Sequence, residues 1–468
     1  MRYLGLFNLE RVLVTGPKAL SEVLVTKNYH FQKPHAMRYS LGRVLGVGLL
    51  LAEGEEHKFQ RKNLMPAFAF RHTKDLYPVF WTKTREVVQA MTRDILADAV
   101  NQPSPSSPDP EKAQKSAVIE AGSWASRVTL DIIGVAGLGH DFGAIANPNS
   151  ELNETYRHVF QPSSQAQLMA ILGQFLPEWI LVRLPVKRNE DINAASQYIR
   201  QVCRDLIREK KERMVETKVG AAIEQQHDIL SVALESGGFK DEELADQLMT
   251  FLAAGHETTA SSMTWAIYML SRFPKIQDRL RREIREKLPS MNSDAGITSL
   301  DIDHMPYLNA VCNEVLRYFA PVPITVREAA QDTDIMGQKV LKGTRIILCP
   351  WATNYDKTLW GPDAHEFNPD RWLPTEGAAD DINNKRAASG GASSNYAYMT
   401  FLHGPRSCIG QGFAKAEFAC ILAGWVGRFA FELKNKEEME EKNVEIKGGV
   451  TARPARGMYV HATIVGGW

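Results

Sequence analysis

The run Phe401-Leu402-His403-Gly404-Pro405-Arg406-Ser407-Cys408-Ile409-Gly410 constrains this chain more than any other stretch. Glycine and proline bend it, and it leads into an apolar-periodic segment from Gln411 through Phe413, Ala414, Phe418 and Leu422 that reads as a helix. A cysteine delivered to a helix N-terminus meets unpaired backbone N–H groups and the positive end of the helix dipole, both of which favour a thiolate. Arg406, two residues earlier, adds positive charge. Such a thiolate is either a metal ligand or a nucleophile, whereas an isolated cysteine is more often a small buried apolar residue.

The rest of the chain reads as predominantly helical. Thr82 to Leu96, Ala194 to Val215 and Glu242 to Arg272 repeat apolar residues at three and four positions amid charges. Val12 to Pro17 followed by Ala19 to Val25 predicts a short strand, a turn and a short helix; Val340 to Leu348 predicts a turn feeding a strand, and Met458 to Val465 an edge strand. Gln102 to Pro110 and Gly377 to Asn395 are compositionally biased and read as exposed loops. The 55 basic residues balance 55 acidic ones, which offers no global attraction to nucleic acid or an anionic membrane. The five cysteines lack the spacing of a disulfide framework or a zinc site. Met1 to Pro17 resembles neither signal peptide nor membrane span, so the chain as given reads as soluble; the apolar run Phe175 to Pro185 could rest on a membrane surface or serve as a buried connector.

Four further stretches carry chemistry. Within the longest helical run, Ala253, Ala254 and Gly255 are followed by His256-Glu257-Thr258-Thr259, so small residues stand where a soluble helix carries bulk. Gly255 weakens a helix by about 1 kcal/mol, and Thr258 can bond back to a carbonyl, which predicts a local bulge or kink and a groove. Glu314 and Arg317 share a helix face at i,i+3; exposed, the pair would contribute about 0.5 kcal/mol, and buried it would need a third partner. Pro321-Val322-Pro323 forces extended backbone ahead of Arg327, and His57 and Arg61 stand one helical turn apart.

The cysteine loop matches the F-x-x-G-x-R-x-C-x-G signature of the cytochrome P450 family at every fixed position, and the chain resembles that family from Met1 to Trp468. Glu314 to Arg317 resembles the family's E-x-x-R, Phe367 to Trp372 its P-E-R-F segment with Asp370 for Glu and Trp372 for Phe, and His57 to Arg61 its W-x-x-x-R with His for Trp. The resemblance implies a mainly α, large single-domain helical fold with small β-sheets spanning 1–468, holding haem b (iron protoporphyrin IX). Cys408 would be the axial thiolate, donating electron density to iron to favour O–O cleavage. Phe401 would pack over the sulfur, and Gly404 and Gly410 would let backbone approach sulfur and porphyrin. His57, Arg61, Arg327 and Arg406 would meet the haem edge, Ala254 and Gly255 would flank dioxygen, and Glu257 and Thr258 would relay protons. Arg371 would join Glu314 and Arg317.

The implied reaction is monooxygenation of a small lipophilic, secondary-metabolite or lipid-like substrate. No nicotinamide fingerprint occurs, so NADPH electrons would come through a separate cytochrome P450 reductase, with cytochrome b5 as a further donor. The expected protein is a monomer without nucleic-acid partners. Microsomal relatives work at the cytosolic face of the endoplasmic reticulum, but this chain carries no anchor helix: either the protein works without one, which leaves a cytoplasmic location open, or the sequence begins late. Lys58, Lys62 and Lys415 are the expected docking charges. Two alternatives stand beside this reading: a haem-thiolate isomerase or dehydratase, against which Glu257 and Thr258 argue, and a cysteine hydrolase, which leaves Glu314, Arg317, Arg327 and Arg371 unexplained.

Overall fold

The computed structural model describes residues 1–5, 8–101, 115–160, 165, 168–169, 172, 178–219, 228–374, 388–448 and 450–468. Gln102 to Pro110, 377–387 of the second biased stretch and 175–177 of the apolar run lie outside the described residues. The helices that frame the site are α1 (Gly54–Leu64), α2 (Tyr77–Asn101), α3 (Ala121–Ile132), α4 (Asp241–Arg272), α5 (Pro306–Tyr318) and α6 (Gln411–Arg428). Helix α4 starts after Lys240, whose N–H donates to Glu243, has Asp241, Glu242 and Glu243 against its positive end, and stops before Pro274. Almost all of its length is buried, so a continuous core surrounds it on the remaining framing helices. No helix among the described residues is long and apolar enough to cross a membrane.

The strands form small sheets. β1 (Arg2–Leu4), β2 (Glu10–Val14), β3 (Phe31–Gln32), β5 (Thr325–Ala329) and β8 (Arg345–Leu348) assemble as β1-β2-β8-β5-β3, with β2 and β8 parallel and the other neighbours antiparallel. This sheet has its own apolar cluster around Leu20, Phe31, Ile346 and Leu348. β4 (Ser116–Glu120), β9 (Phe429–Leu433) and β12 (Tyr459–Ile464) form the order β4-β12-β9. The C-terminal strand is therefore central and not at an edge: β4, a short run following the Pro/Ser-rich stretch, covers its second side with Val460 opposite Ile119. β6 (Thr333–Ile335) pairs β7 (Gln338–Val340), and β10 (Ile446–Gly448) pairs β11 (Ala452–Pro454).

The bulge expected at Gly255 is not there. Helix α4 keeps α-helical hydrogen bonding from Asp241 to Arg272, and the π turn lies instead in its neighbour, Ile133–Leu138, directly after α3. A Cβ on Gly255 would stand 2.9 Å from Ile133, so the missing side chain lets these two segments touch.

Candidate haem-thiolate site

The cysteine loop is held by backbone. Cys408 donates its N–H to the Phe401 carbonyl at 2.9 Å, Leu402 adopts φ 55°, and Gly404 adopts φ 78°. A Cβ on Gly404 would fall 2.1 Å from the Leu24 carbonyl oxygen, so the glycine is demanded by the chain near the first sheet and not by approach to the sulfur. Gly410, at φ −87°, would place a Cβ an ordinary 3.7 Å from Phe68, so the protein itself does not require glycine there. Gly404→Ala combines the backbone strain of positive φ with a backbone clash. It is expected to cut the yield of soluble folded protein severely, as measured by thermal unfolding of what remains.

Cys408 is accessible to solvent, yet enough protein surrounds it that burial raises its thiol pKa; the Gly410 N–H and the Arg61 charge pull it back down. The sulfur is thus accessible, with one N–H donor and one cation beside it that favour its anionic form. No cluster of His, Cys, Asp or Glu able to hold a metal occurs among the described residues. The donor set is thus one sulfur, which suits a metal that brings its remaining ligands with it, as a porphyrin does.

Beside the loop lies a buried cationic cluster. Arg406 donates to Glu53 and to the carbonyls of Asn28 and Phe31, and Arg61 donates to the Ser407 carbonyl at 2.5 Å. Arg327, on β5, is 3% exposed and donates to Thr325 Oγ1 at 3.0 Å. Lys33 lies 3.7 Å from Glu53. Burial and the neighbouring Arg327 push Lys33 down to about 7; burial and Arg406 push Arg327 down to about 10. Burial and Lys33 push His57 down to about 4, and its Nδ1 is engaged by the Tyr29 hydroxyl at 3.2 Å. His57 and Arg61 thus differ: Arg61 reaches the cysteine loop, while His57 is held by Tyr29. Among the described residues Glu53 is the one carboxylate acting on Lys33, Arg327 and Arg406, an imbalance that the two carboxylates of a haem edge would relieve. Lys33, Glu53 and Tyr29 were not legible as site residues; Lys33 between Phe31 and Pro34 gives only the weak signal of a charge among apolar and rigid neighbours.

Helix α4 carries a short accessible window in its middle. Ala254 is exposed and Gly255 and Thr258 half-buried, while Ala253, His256, Glu257 and Thr259 are buried. Thr258 Oγ1 donates to the Ala254 carbonyl at 2.9 Å, the predicted back-bond, leaving its lone pairs to accept. Glu257 pairs with Arg453 on β11 and lies 3.5 Å from Thr451 Oγ1. Phe68 joins the two sides, with its ring 5.4 Å from that of Phe251 and its edge near Gly410.

The structure brings Glu314, Arg317 and Arg371 together in full burial. Arg317 forks onto Glu314 at 2.7 and 2.8 Å, and Arg371 Nε reaches Glu314 at 3.1 Å. Arg317 also donates to the carbonyls of Asn354, Ala364 and Glu366, which fixes the segment leading to the cysteine loop, since Asn354 in turn accepts from Met399 N. Trp372 adds what phenylalanine could not: its indole N–H donates to Glu314 at 2.9 Å. Asp370 points outward to Arg279.

Of the expected docking lysines, Lys62 is exposed, and Lys58 is exposed but paired with Glu55. Lys415 is not a rim charge. It donates to Asn313 at 3.0 Å, lies over the rings of Tyr398 and Phe401, and burial lowers its pKa. A surface cleft of about 570 Å³ lined by Lys83, Glu86, Asp131 and Asp141 contains none of the motif residues, and its Lys83 is paired with Glu86 and Asp141.

The sequence profile of the cytochrome P450 family matches residues 3–460. The chain is similar to cytochrome P450 monooxygenase ALT8 of Alternaria alternata, 45% identical with 100% of this chain and 83% of the relative covered. It is similar to cytochrome P450 monooxygenase sphH of Aspergillus fumigatus, 46% identical over 100% and 81%, and to cytochrome P450 monooxygenase FUM15 of Gibberella moniliformis, 46% identical over 98% and 80%. Proteins of this family hold haem through a cysteine thiolate and use a redox partner and dioxygen. An accessible cysteine flanked by an N–H donor and a cation, a charge imbalance suited to propionates and a match over nearly the whole length have one common explanation: the chain belongs to the cytochrome P450 family, as an oxygen-incorporating monooxygenase.

Proposed function

We propose that this enzyme, acting as a single domain and a monomer, hydroxylates a small lipophilic metabolite of fungal secondary metabolism. The overall stoichiometry is RH + O2 + NADPH + H⁺ giving ROH + H2O + NADP⁺, with electrons delivered by NADPH-cytochrome P450 reductase at the cytosolic face of the endoplasmic reticulum and cytochrome b5 as an auxiliary donor. The observation that carries this reading is the α4 window: Ala254, Gly255 and Thr258 are accessible or half-buried in an otherwise buried stretch of helix, with Glu257 beside Thr258.

In this reading Cys408 holds the haem iron, Arg61, Arg327, Arg406 and Lys33 take the propionates, and His57 orients Tyr29 beside Arg406. The haem, when bound, supplies dioxygen activation. Ala254 leaves room at the helix face, Thr258 accepts a hydrogen bond through its free lone pairs and so orders the water that carries the proton, and Glu257 is the acid beside it. Exposed Lys62 contributes to reductase docking by speeding association. Substrate would meet residues around Val322 to Val326, where Ile324 is 53% exposed.

Thr258→Ala is expected to keep NADPH and oxygen consumption while hydrogen peroxide replaces product. Product per NADPH should fall about tenfold, short of the roughly 10²-fold of a group acting alone, because the relay keeps Glu257. Measuring peroxide and product together checks this, and an unchanged product yield removes Thr258 from the mechanism. Incubation of the enzyme and reductase with extracts of a producing fungus, searched for products heavier by one oxygen, tests the reaction itself. Turnover without oxygen uptake would favour the isomerase reading.

A further inference from the structure

We propose that Glu417 stands uncharged in the seam between α6 and α4, bonded across it to the Thr259 hydroxyl, and that this neutral acid is a positioning residue holding the helix behind the cysteine loop against the helix that carries the window. This holds whether or not Glu257 and Thr258 move protons.

Glu417 follows Cys408 by nine residues, lies on α6 and is 0% exposed. Neither of its carboxyl oxygens has a hydrogen-bond partner among the described residues. Burial pushes the carboxyl well above the usual carboxylate range, and the one influence in the other direction is the Thr259 hydroxyl, which stands beside it without closing a bond. Thr259 is 3% exposed, and its Oγ1 has no partner of its own. Its neighbours on α4 differ: Thr258, Ser262 and Thr264 each bond back to the carbonyl four residues earlier, and Ser261 donates to the Ala452 carbonyl. A charged Glu417 would have that single hydroxyl as its donor in a medium that penalises an unpaired charge heavily. Protonated, it brings an O–H donor of its own, and the two groups can satisfy each other.

The titratable groups of the elements packed on α6 give this carboxyl no counter-charge. On α6 itself Cys420, a thiol raised by burial, senses Glu417; Cys312 on α5 acts on Cys420, and Tyr77 at the start of α2 senses both thiols. Lys415 donates to Asn313 and is acted on by Cys312. Arg281 and Arg285, on the helix Pro274–Lys287, donate to the carbonyls of Val426, Phe429 and Gly427 at the far end of α6. On α4, Glu257 is taken by Arg453, and His256 Nδ1 is engaged with the Leu252 carbonyl. Helix α6 starts directly after the cysteine loop and packs on α4, so charging Glu417 would draw water into the contact that sets the two helices on each other.

The unfolded chain ionises this carboxyl near about pH 4 and the folded protein does not, so above that pH unfolding releases a proton from Glu417. The folded-to-unfolded ratio then falls by up to about tenfold per pH unit until the folded carboxyl itself ionises. Glu417→Gln, equal in shape and neutral at every pH, removes that slope. The test compares wild type, Glu417→Gln and Thr259→Val as haem-loaded enzymes. Infrared spectra at about pH 8, where Asp131, pushed up by burial to about 6, is ionised, should show a protonated carboxyl band in wild type that shifts in D2O and is missing from Glu417→Gln. Thr259→Val should keep the band and move it to the position of a carboxyl without a hydrogen bond. From about pH 5 to about pH 8 the unfolding midpoint of Glu417→Gln should gain steadily on wild type, and its thiolate-type carbon monoxide spectrum should survive to a higher pH. A wild-type spectrum without the band, or equal pH dependence of unfolding, overturns the neutral acid. A band unmoved in Thr259→Val overturns the bond across the seam, and equal alkaline limits of the carbon monoxide spectrum overturn its hold on the cysteine helix. If Glu417→Gln does not fold, the wild-type and Thr259→Val infrared spectra decide alone.

Discussion

Cys408→Ala is expected to yield a protein whose reduced carbon monoxide spectrum lacks the thiolate-type Soret band and whose haem content is sharply reduced. The loop offers no replacement. His403 has its Nε2 committed to the Tyr398 carbonyl at 3.1 Å and its ring packed against Tyr396 at 4.9 Å. The other cysteines either lie in helices, as Cys203, Cys312 and Cys420 do in full burial, or precede a helix away from this loop, as Cys349 does. Burial raises the thiol pKa of Cys203 to about 12, which removes it as an anionic ligand. Without the sulfur, the Gly410 N–H and Arg61 face no anion, and haem would be held by its propionates and apolar contacts alone. Haem content per chain and the reduced spectrum measure both effects, and an unchanged spectrum would end the haem-thiolate reading. Reductase-driven and peroxide-driven turnover should vanish together, which separates this variant from one that only disturbs docking.

What could be read in the sequence divides along a physical line. The cysteine loop was legible because its requirements are local: a bend, a sulfur and a helix start lie within about ten consecutive residues. The long helices were legible for the same reason, through apolar periodicity, although α2 and the helix Lys187–Val219 run several residues past the predicted ends at both termini. The cationic cluster was only half legible. Arg61, Arg327 and Arg406 belong to motifs, but Lys33, Glu53 and Tyr29 reach Arg406 across more than 350 positions, and no local pattern encodes such a meeting. Lys415, expected beside the Cys408 loop as a docking charge, is turned inward: α6 packs on α2, α4, α5 and α7 (Pro274–Lys287), and Asn313 accepts from the ammonium. Gly255 shows the same limit: its reason is Ile133, over 100 residues away.

Glu314→Ala is expected to be the most destabilising change within the buried network of Glu314, Arg317 and Trp372. Removing one member of a buried charge network costs about 3–5 kcal/mol, against a total stability of about 5–15 kcal/mol for a domain. The order within the network follows from its bonds. Glu314→Ala leaves the guanidinium groups of Arg317 and Arg371 adjacent and without their shared carboxylate, and strands the N–H groups of Asn368 and Trp372. Arg317→Ala leaves Glu314 still served by Arg371, Asn368 and Trp372, but deprives three buried carbonyls of a donor. Trp372→Phe removes a single hydrogen bond, worth about 1 kcal/mol. Thermal unfolding and haem content should therefore fall in the order Trp372→Phe, Arg317→Ala, Glu314→Ala, with haem lost along with stability because Arg317 fixes Asn354 and, through it, Met399 ahead of the cysteine loop. If Glu314→Ala kept both at wild-type levels, the buried triad would be a surface pair in effect, and the path from α5 to the Cys408 loop would have to run through other contacts.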